Sequence, residues 1–300
     1  MNHHCRKLEF GCFLYQDGLT FPEIWQIAHG CEELGFTSLW LKDNLAPWIH
    51  LYLKGWPEPS KPDFSECLTT LSALAARTKK LRLGAILCNT FRNPALVAKT
   101  IATLDIISEG RIEFGLSAGW NVVEHEAYGI NFPSARDRVT MLEESLEIIE
   151  RMWTQPEATF HGKFHSVEKA ICNPKPVQEP YPPVWIGGAG SKTLKLAAKF
   201  ADGWNFGLCG EAHYASRLTK LNEYCRQIGR DPSSIKKAWQ GIVTGSSLSD
   251  ADQGILGGSS QEIAKKLGSF VDLGVSYFTL HFTDRTTLRT FSREVIPGLL

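Results

Sequence analysis

The chain has 300 residues, of which 43% are hydrophobic and 21% are charged, a composition typical of a folded globular protein. Lys and Arg together number 32, as do Asp and Glu, so there is no basic surplus to bind nucleic acid or an anionic membrane. The longest apolar runs are about strand length, which excludes a helix that crosses a membrane.

The cysteines and the first residues indicate a reducing compartment. The eight cysteines are scattered and form no CxxC pair, a pattern that argues against both a zinc site and a disulfide framework. The opening MNHHCRKLEF lacks the apolar stretch of a signal peptide. His3, His4 and Cys5 could bind a metal, but a frayed terminus is the simpler interpretation. We therefore expect a cytoplasmic protein with no metal.

Strand and helix patterns alternate from one end of the chain to the other. Thr20 and Glu23, for example, form a capping box at the start of a helical stripe. Several strands are apolar on both faces, as expected of a parallel sheet covered by helices. The predicted strands are 8–15, 37–42, 81–88, 112–117, 184–187, 202–206, 238–244 and 277–282.

Eight strand–helix units in a chain of this length predict an α/β fold, a (β/α)8 TIM barrel, in a single domain over residues 1–300. A doubly wound open sheet is the alternative. Three segments interrupt the alternation, after predicted strands 2, 4 and 7. Segment 154–183 contains a predicted hairpin, TFHGKFHSV, whereas 44–62 is rich in Pro and aromatic residues and 245–258 in Gly, Ser and Asp.

The segments after strands 2 and 7 would rise from the catalytic face of a barrel, where they could act as lids. The aromatic residues of the first segment could contact a substrate, or they could pack that loop onto the barrel. These candidate substrate-binding residues are Trp48, Tyr52 and Trp56.

Two turns of small residues follow predicted strands. Such turns let backbone N–H groups approach a ligand closely, and the helix after the second turn adds the positive end of its dipole. We interpret both as phosphate or cofactor contacts; a tight turn that needs glycine only for its geometry is the alternative. The first turn comprises Ser117, Ala118, Gly119 and Trp120, and the second Gly187, Gly188, Ala189 and Gly190.

Polar residues at strand ends are the candidates for chemistry. Asp43 and Asn44 end the second strand, where an aspartate could hydrogen-bond a cofactor ring or simply cap a turn. Glu124 could serve acid–base chemistry or cap the long loop, as could the adjacent His125. His281 ends the eighth strand, and a structural role is its alternative. No HExxH motif or histidine–carboxylate metal spacing occurs, which favours cofactor chemistry without a metal.

Several segments are similar to those of the bacterial luciferase-like flavin and deazaflavin oxidoreductases, in the same order along nearly the whole chain. The segments that carry this resemblance are LWLKDNL, FRNPALVAKTIATLD, GRIEFGLSAGWNVVEHEAYGINFPSARDRVTMLEESLEII, PVWIGGAGSKTLKLAAKFADGWN and SSQEIAKKLGSFVDLGVSYFTLHF. The family resemblance implies a TIM barrel, commonly a homodimer, that binds FMN or coenzyme F420. The run FRNPALVAK…GRIEFGLSAGW…AYG is most similar to the F420-dependent branch.

The resemblance also implies roles for individual residues. Phosphate contacts map onto the two small-residue turns, and a non-proline cis peptide under the cofactor ring maps onto Leu87, Cys88 and Asn89. Asp43 matches the aspartate of an Asp-His pair, but Asn44 replaces the histidine, and asparagine cannot pass a proton. Trp120 stands where sugar-phosphate-oxidising relatives have an acid, so we do not expect that activity.

The function that follows is hydride transfer between coenzyme F420 and a small organic substrate, with Asp43, Asn44, Glu124 and His281 as the candidate catalytic residues. An FMN-dependent monooxygenase, supplied with reduced flavin by a separate reductase, is the alternative enzyme. A flavin-binding barrel that has lost turnover is an alternative of a different class, which the asparagine at position 44 permits.

Overall fold

The computed structural model describes residues 8–47 and 63–299. Trp48, Tyr52 and Trp56 lie outside the described residues, so their contact with a substrate stays a prediction. Eleven strands occur in the described part: β1 (Glu9–Leu14), β2 (Ser38–Lys42), β3 (Arg82–Cys88), β4 (Ile112–Ser117), β5 (Ala158–His161), β6 (Ser166–Ala170), β7 (Val184–Gly187), β8 (Gly203–Gly207), β9 (Lys236–Val243), β10 (Ile255–Leu256) and β11 (Tyr277–Phe282).

The helices mostly follow these strands, as the alternating pattern predicts. None of the helices in the described ranges is long and apolar enough to cross a membrane. They are α1 (Phe21–Glu33), α2 (Cys67–Arg77), α3 (Pro94–Ile107), α4 (Val122–Ala127), α5 (Ala135–Thr154), α6 (Ser191–Phe200), α7 (Glu211–Gln227), α8 (Ser260–Asp272), α9 (Arg285–Thr290) and α10 (Ile296–Leu299).

All strands except the β5–β6 hairpin belong to one sheet. Its order is β10-β9-β11-β1-β2-β3-β4-β7-β8, and β8 also pairs with β9, which closes eight parallel strands on themselves. The predicted (β/α)8 barrel is therefore confirmed, and the open-sheet alternative is wrong. The predicted hairpin is confirmed as well, since β5 and β6 pair in antiparallel register.

Contacts between residues divide the chain into two compact units, so the single domain over residues 1–300 stays a prediction. One unit comprises Gln16–Gln26 and Leu41–Gly187, and we refer to it as the 41–187 unit. In it β3 pairs in parallel with β4, and β4 with β7. Its α3 begins at Asn93, whose side chain accepts hydrogen bonds from the N–H groups of Ala95 and Leu96.

The other unit, the 188–300 unit, comprises Met1–Tyr15, Ile27–Trp40 and Gly188–Leu300. In its described part β9 pairs in parallel with both β8 and β11, and β11 pairs with β1. Large aromatic side chains fill its core: Trp239 lies 4.4 Å from Phe270 between ring centroids, and Phe10 stacks on Phe278 at 5.5 Å. A capping box between Ser259 and Glu262 begins α8.

A buried carboxylate holds the β5–β6 hairpin against α5 in the 41–187 unit. Glu144 accepts hydrogen bonds from the backbone N–H groups of Lys163 at 2.7 Å, Phe164 at 2.9 Å and His165 at 2.8 Å. We refer to these three hydrogen bonds as the Glu144 clamp. Glycine is required at position 162 beside the clamp, because a Cβ there would lie 2.5 Å from the carboxylate. The turn is thus fixed by an ionised group rather than by apolar contact.

Replacing Glu144 with alanine should lower the free energy of unfolding by about 3 kcal/mol, because it leaves backbone donors without an acceptor. Urea denaturation measures this loss. The matched control is Glu150→Ala on the same helix, an exposed position for which the change should stay below about 0.5 kcal/mol. Equal losses for the two variants would contradict the clamp.

Candidate functional site

The ends of β3 and β4 lie side by side in the 41–187 unit. Cys88 pairs with Ser117 in the sheet register, and the Asn89 N–H donates to the Ser117 carbonyl at 3.0 Å. The residues that follow these strands form the candidate site together with those that follow β2. Its polar members are Asp43, Asn44, Asn89, Thr90, Glu124 and His125.

Asp43 forms a buried ion pair with Arg92. The guanidinium donates two hydrogen bonds to the carboxylate, at 2.7 and 2.8 Å, and a third to Glu66 at 2.7 Å. The N–H of Cys88 also donates to Asp43 at 2.7 Å, which ties the end of β2 to the end of β3. The bidentate geometry is the strongest form of a carboxylate–arginine contact.

Burial raises the pKa of the Asp43 carboxyl above its ordinary value, and the Arg92 guanidinium and the Cys88 N–H oppose that shift. The Asp43 side chain is only 1% exposed, and both of its oxygens already accept hydrogen bonds. The structure therefore gives Asp43 a part in positioning the strand ends. Its predicted hydrogen bond to a cofactor ring stays a prediction.

Asn44 binds the carboxylate of Glu124. Its Nδ2 lies 2.8 and 2.9 Å from the two carboxylate oxygens, and the N–H of Leu45 donates to Oε1 at 2.9 Å. Glu124 is 1% exposed, so its charge is held by these donors rather than by water. The structure thus brings together two of the predicted catalytic residues.

Cys88, Thr90 and His125 form a chain of side-chain contacts. The Thr90 hydroxyl oxygen lies 3.1 Å from Cys88 Sγ and 2.6 Å from His125 Nε2, while His125 Nδ1 lies 2.7 Å from the carbonyl oxygen of Asn121. Burial raises the pKa of the Cys88 thiol to about 11, so the thiol stays protonated near neutral pH. This agrees with the expectation that Cys88 is not a nucleophile.

The cis peptide predicted within Leu87, Cys88 and Asn89 is absent. The cis bonds among the described residues are Asn173-Pro174 and Glu179-Pro180, so the backbone at 87–89 is trans. The trans backbone directs the Cys88 N–H to Asp43, and a non-proline cis bond costs about 3–4 kcal/mol. This prediction was wrong.

Two glycines allow close packing at the ends of β4 and β7, and an unpaired amide donor lies at the end of β3. Gly119 has φ +75°, and a Cβ there would lie 2.8 Å from Cys88 Sγ. A Cβ at Gly187 would lie 2.8 Å from the Ile86 side chain. The Nδ2 atom of Asn89, which is 5% exposed, has no hydrogen-bond partner among the described residues. A buried donor of this kind indicates a missing acceptor.

The second glycine turn continues into the 188–300 unit. Gly188 has φ +110°, donates to the Asn205 carbonyl at 3.2 Å and accepts from the Trp204 indole at 2.8 Å. Gly190 begins α6, and no side chain caps the first-turn N–H groups of that helix. Asn205 Oδ1 is buried with no partner in the described residues. The turn therefore presents donors where an anion could bind.

His281 lies in the 188–300 unit, at the end of β11. Its ring stacks on Tyr15 with centroids 4.1 Å apart, and its Nδ1 lies 3.2 Å from the Phe13 carbonyl. Because a carbonyl only accepts, Nδ1 carries the proton. His281 is 7% exposed and is held on β1 by these contacts, which suits a structural role at least as well as a catalytic one.

Metal and disulfide sites are not found within residues 8–47 and 63–299. No group of three or more His, Cys, Asp or Glu residues there could hold a metal ion. The cysteines in this part of the chain are free and buried: Cys12, Cys31, Cys67, Cys88, Cys172, Cys209 and Cys225.

Sequence reasoning missed Arg92 and the partner of His125. Arg92 directly precedes the Asn93-Pro94 helix start. Its positive charge is the one feature of the sequence that could indicate an ion pair, and no local pattern identifies Asp43 as its partner. His125 was considered beside Glu124, but its contact with Thr90 spans 35 positions in the chain. A single sequence does not show such a pairing.

Replacing Arg92 with methionine should lower the free energy of unfolding by about 3–5 kcal/mol, because the Asp43 charge is left buried without a partner. The loss should shrink as the pH falls. Without arginine the folded-state pKa of Asp43 rises further above its unfolded value, so protonation restores stability at low pH and ionisation removes it at high pH. Denaturant titrations between pH 4.5 and 8 measure both effects.

The double variant Asp43→Asn/Arg92→Met serves as the control, since it removes the uncompensated charge. It should be more stable than the single variant at pH 8. Arg136→Met, at an exposed position, should change stability by less than about 0.5 kcal/mol. A pH-independent loss in Arg92→Met would contradict the assignment of a buried ion pair.

Comparison with known proteins gives the chain its family. A curated relative from Microbacterium testaceum, named F420-dependent glucose-6-phosphate dehydrogenase, is 33% identical over 68% of this chain and 58% of its own length. A protein of the same name from Kineococcus radiotolerans is 30% identical over 78% of this chain. The chain thus spans 58% and 67% of the length of these two relatives.

The fold has a solved counterpart of the same length. An F420-dependent secondary alcohol dehydrogenase, solved with an F420–acetone adduct, superposes with a TM-score of 0.86 at 22% identity and covers 98% of this chain and 99% of its own. The family model described as luciferase-like monooxygenase matches residues 7–251. The chain is a member of the luciferase-like monooxygenase family.

Proposed function

We propose that this protein is an oxidoreductase that uses coenzyme F420 and transfers hydride between that cofactor and a small organic substrate. Family membership supports the oxidoreductase class. Both curated relatives described above are named as F420-dependent dehydrogenases, and so is the solved dehydrogenase of the same fold. The residues at the strand ends fit such a cofactor.

The unpaired Asn89 amide is the observation that carries this fit. Its buried Nδ2 has no acceptor among the described residues, and the edge of a deazaflavin ring presents carbonyl oxygens. Gly119 allows the turn after β4 to pack against Cys88 and Thr90, the residues on either side of Asn89 in the chain. When bound, the deazaflavin supplies hydride chemistry at its C5 atom, while the protein supplies orientation and electrostatics. We propose that Leu87, Cys88, Asn89 and the turn at Ser117, Ala118, Gly119 and Trp120 contact the cofactor.

The turn at Gly187, Gly188, Ala189 and Gly190 is proposed to hold the cofactor's phosphate. The uncapped N-terminus of α6 supports this role, because its N–H groups and dipole favour an anion. Asp43 accepts a hydrogen bond from the Cys88 N–H and so holds Cys88 in place. Next to the strand ends, the Asn44 amide donates a hydrogen bond to the Glu124 carboxylate. We retain His281 and the aromatic residues Trp48, Tyr52 and Trp56 as proposed substrate contacts.

The substrate is proposed to be a small alcohol or carbonyl compound rather than a sugar phosphate. Asn44 cannot act as the acid–base group that a histidine would provide. Trp120 is 55% exposed where the resemblance implies an acid in sugar-phosphate-oxidising relatives. Two of the dehydrogenases named for glucose 6-phosphate extend well beyond the aligned part of this chain.

We also propose that the protein works as a homodimer in a reducing, cytoplasmic compartment. The dimer is supported by the family resemblance. The compartment is supported by the seven free, buried cysteines of the described residues, which fit a reducing environment. A separate reductase would be required only for the alternative FMN-dependent monooxygenase, an activity that the family's description favours.

Fluorescence titration of the purified protein with F420 and with FMN distinguishes the two cofactors. We expect micromolar or tighter binding of F420, at least tenfold tighter than that of FMN. Absence of F420 binding together with micromolar FMN binding would reject the proposal and favour the monooxygenase.

The phosphate assignment predicts a specific charge effect at Gly190, whose φ of −64° any residue adopts. A Cβ there would lie 3.6 Å from the nearest atom, the Thr193 hydroxyl oxygen, so side chains fit. Gly190→Asp should weaken F420 binding at least tenfold, since its carboxylate takes the helix N–H groups and repels phosphate. Gly190→Asn, which has the same shape without the charge, should weaken binding less than threefold.

Thermal denaturation of both variants provides the stability control, because each new side chain caps α6 and should leave the melting temperature equal or higher. Equal F420 affinities for Gly190→Asp and Gly190→Asn would contradict a phosphate at this turn.

Asn44→His tests the third possibility, a barrel that binds cofactor without turnover. A histidine there would lie beside Glu124 and could exchange protons. If the wild-type protein binds F420 but turns over no substrate from a broad panel while Asn44→His does, the wild-type chain is non-catalytic. We expect the wild-type protein to be active.

A further inference from the structure

We propose that the Thr90 hydroxyl exchanges a proton with the substrate and that the buried His125 accepts the proton that Thr90 releases. This inference rests on the proposed function, because it supplies the proton transfer that accompanies hydride transfer there. It also names the substrate class: the reacting carbon bears a hydroxyl group in the reduced state and a carbonyl oxygen in the oxidised state.

The direction of each hydrogen bond follows from the groups involved. His125 Nδ1 lies 2.7 Å from the Asn121 carbonyl oxygen, which only accepts, so Nδ1 carries a proton. In a neutral imidazole Nε2 then bears a lone pair, and it accepts the Thr90 hydroxyl proton across 2.6 Å. The Cys88 thiol donates to the Thr90 oxygen across 3.1 Å. The relay is thus set to receive a proton at His125.

The surroundings of His125 tolerate the charge that it would gain. The imidazole is fully buried and lies between two aromatic rings, with centroid distances of 4.9 Å to Phe91 and 4.6 Å to Phe132. Aromatic faces attract a cation. Its Nδ1–H keeps the Asn121 carbonyl as an acceptor in both charge states. A positive charge shared over the ring therefore retains polar and aromatic partners.

Other titratable groups on the neighbouring elements set the electrostatic balance of the relay. Glu124 precedes His125 on α4, and its carboxylate is bound by Asn44 and the Leu45 N–H. Arg138 of α5 lies 3.8 Å above the Phe132 ring, and burial lowers its pKa. Cys88 of β3 stays protonated.

Gly119 packs its backbone closely against Thr90 and Cys88. A Cβ at this position would lie 3.1 Å from the Thr90 oxygen and 2.8 Å from Cys88 Sγ. The φ of +75° is a conformation that glycine adopts without strain. Thr90 itself is partly exposed, whereas His125 behind it is buried. The partial exposure of Thr90, in contrast to the buried His125, makes Thr90 the member of the pair that a substrate would contact.

The other polar groups of the 41–187 unit are less suited to this task. Asn44 has no proton to exchange near neutral pH. Both oxygens of Asp43 are bound by Arg92. Glu124 accepts hydrogen bonds from Asn44 and from the Leu45 N–H, and it is 1% exposed. Thr90 with His125 takes over the role that a histidine at position 44 would otherwise fill.

In the direction of alcohol oxidation, the C–H bond breaks and its electron pair moves with the hydride to the oxidised deazaflavin. The substrate O–H bond breaks as its proton passes to the Thr90 oxygen, while the proton already on Thr90 passes to His125 Nε2. A C=O bond forms, and the products are the carbonyl compound, the two-electron-reduced cofactor and an imidazolium. Reduction of a carbonyl reverses each transfer.

The test compares Thr90→Val, which keeps the shape and removes the hydroxyl, with Thr90→Ser, which keeps the hydroxyl. Secondary alcohols and ketones are assayed with F420. Thr90→Val should lower kcat about 100-fold, because a general acid–base group contributes a rate factor of at least about that size. The F420 affinity and KM should change less than threefold. Thr90→Ser should stay within about fivefold of the wild type. Thr103→Val on the exposed side of α3 is the matched control and should have no effect.

A second readout needs neither cofactor nor substrate. The imidazole nitrogens are followed by NMR in 15N-histidine-labelled protein, with the His125 signals identified by their loss in His125→Asn. The wild type should show protonated Nδ1 and hydrogen-bonded, unprotonated Nε2. In Thr90→Val, the 15N resonance of Nε2 should move toward that of an unprotonated imidazole nitrogen that accepts no hydrogen bond. In Thr90→Ser, it should stay in place.

Each outcome supports or overturns the relay. Full activity in Thr90→Val overturns it and leaves the proposed function intact. F420 binding without turnover of any alcohol or ketone overturns the assigned substrate class. If the wild type does not bind F420, the proposed function fails, and with it the catalytic part of the relay. An Nε2 resonance that is unchanged in Thr90→Val overturns the hydrogen bond itself.

Discussion

A carboxylate taken out of water is unstable unless charged and polar partners surround it, and Asp43 meets that requirement through Arg92 and the Cys88 N–H. This pairing joins the end of β2 to the end of β3. The residues after Cys88 take their places from that link, so the unpaired Asn89 amide and the Thr90 hydroxyl depend on it. Asp43 therefore positions the strand ends that form the site.

The proposed relay places the proton chemistry one strand away from the position that the family resemblance indicates. At the end of β2 this chain has Asn44, whose amide binds Glu124. At the end of β3 it has a hydroxyl group backed by a buried imidazole. Both arrangements belong to the 41–187 unit, and both use α4, which carries Glu124 and His125. A loss at position 44 is thus compatible with an active enzyme.

Local patterns in the sequence were sufficient for the fold and insufficient for the contacts. Apolar runs such as Ile112–Ser117 and Tyr277–Phe282 are bounded by turn residues, so their limits agree with the structure. The strand ends, and hence Asp43, Asn44 and Gly119, followed from those limits. Arg92 and the His125–Thr90 contact did not, because each joins residues tens of positions apart. The trans backbone at 87–89 differs from the family expectation, which no local pattern could test.

We propose that a deazaflavin, not a flavin with oxygen, carries the electrons of this enzyme. The most direct measurement is the rate at which reduced F420 is reoxidised by the protein and a ketone, followed by absorbance with and without dissolved oxygen. We expect a ketone-dependent rate that oxygen does not change. A reaction that requires oxygen, or that proceeds only with reduced FMN, would contradict it.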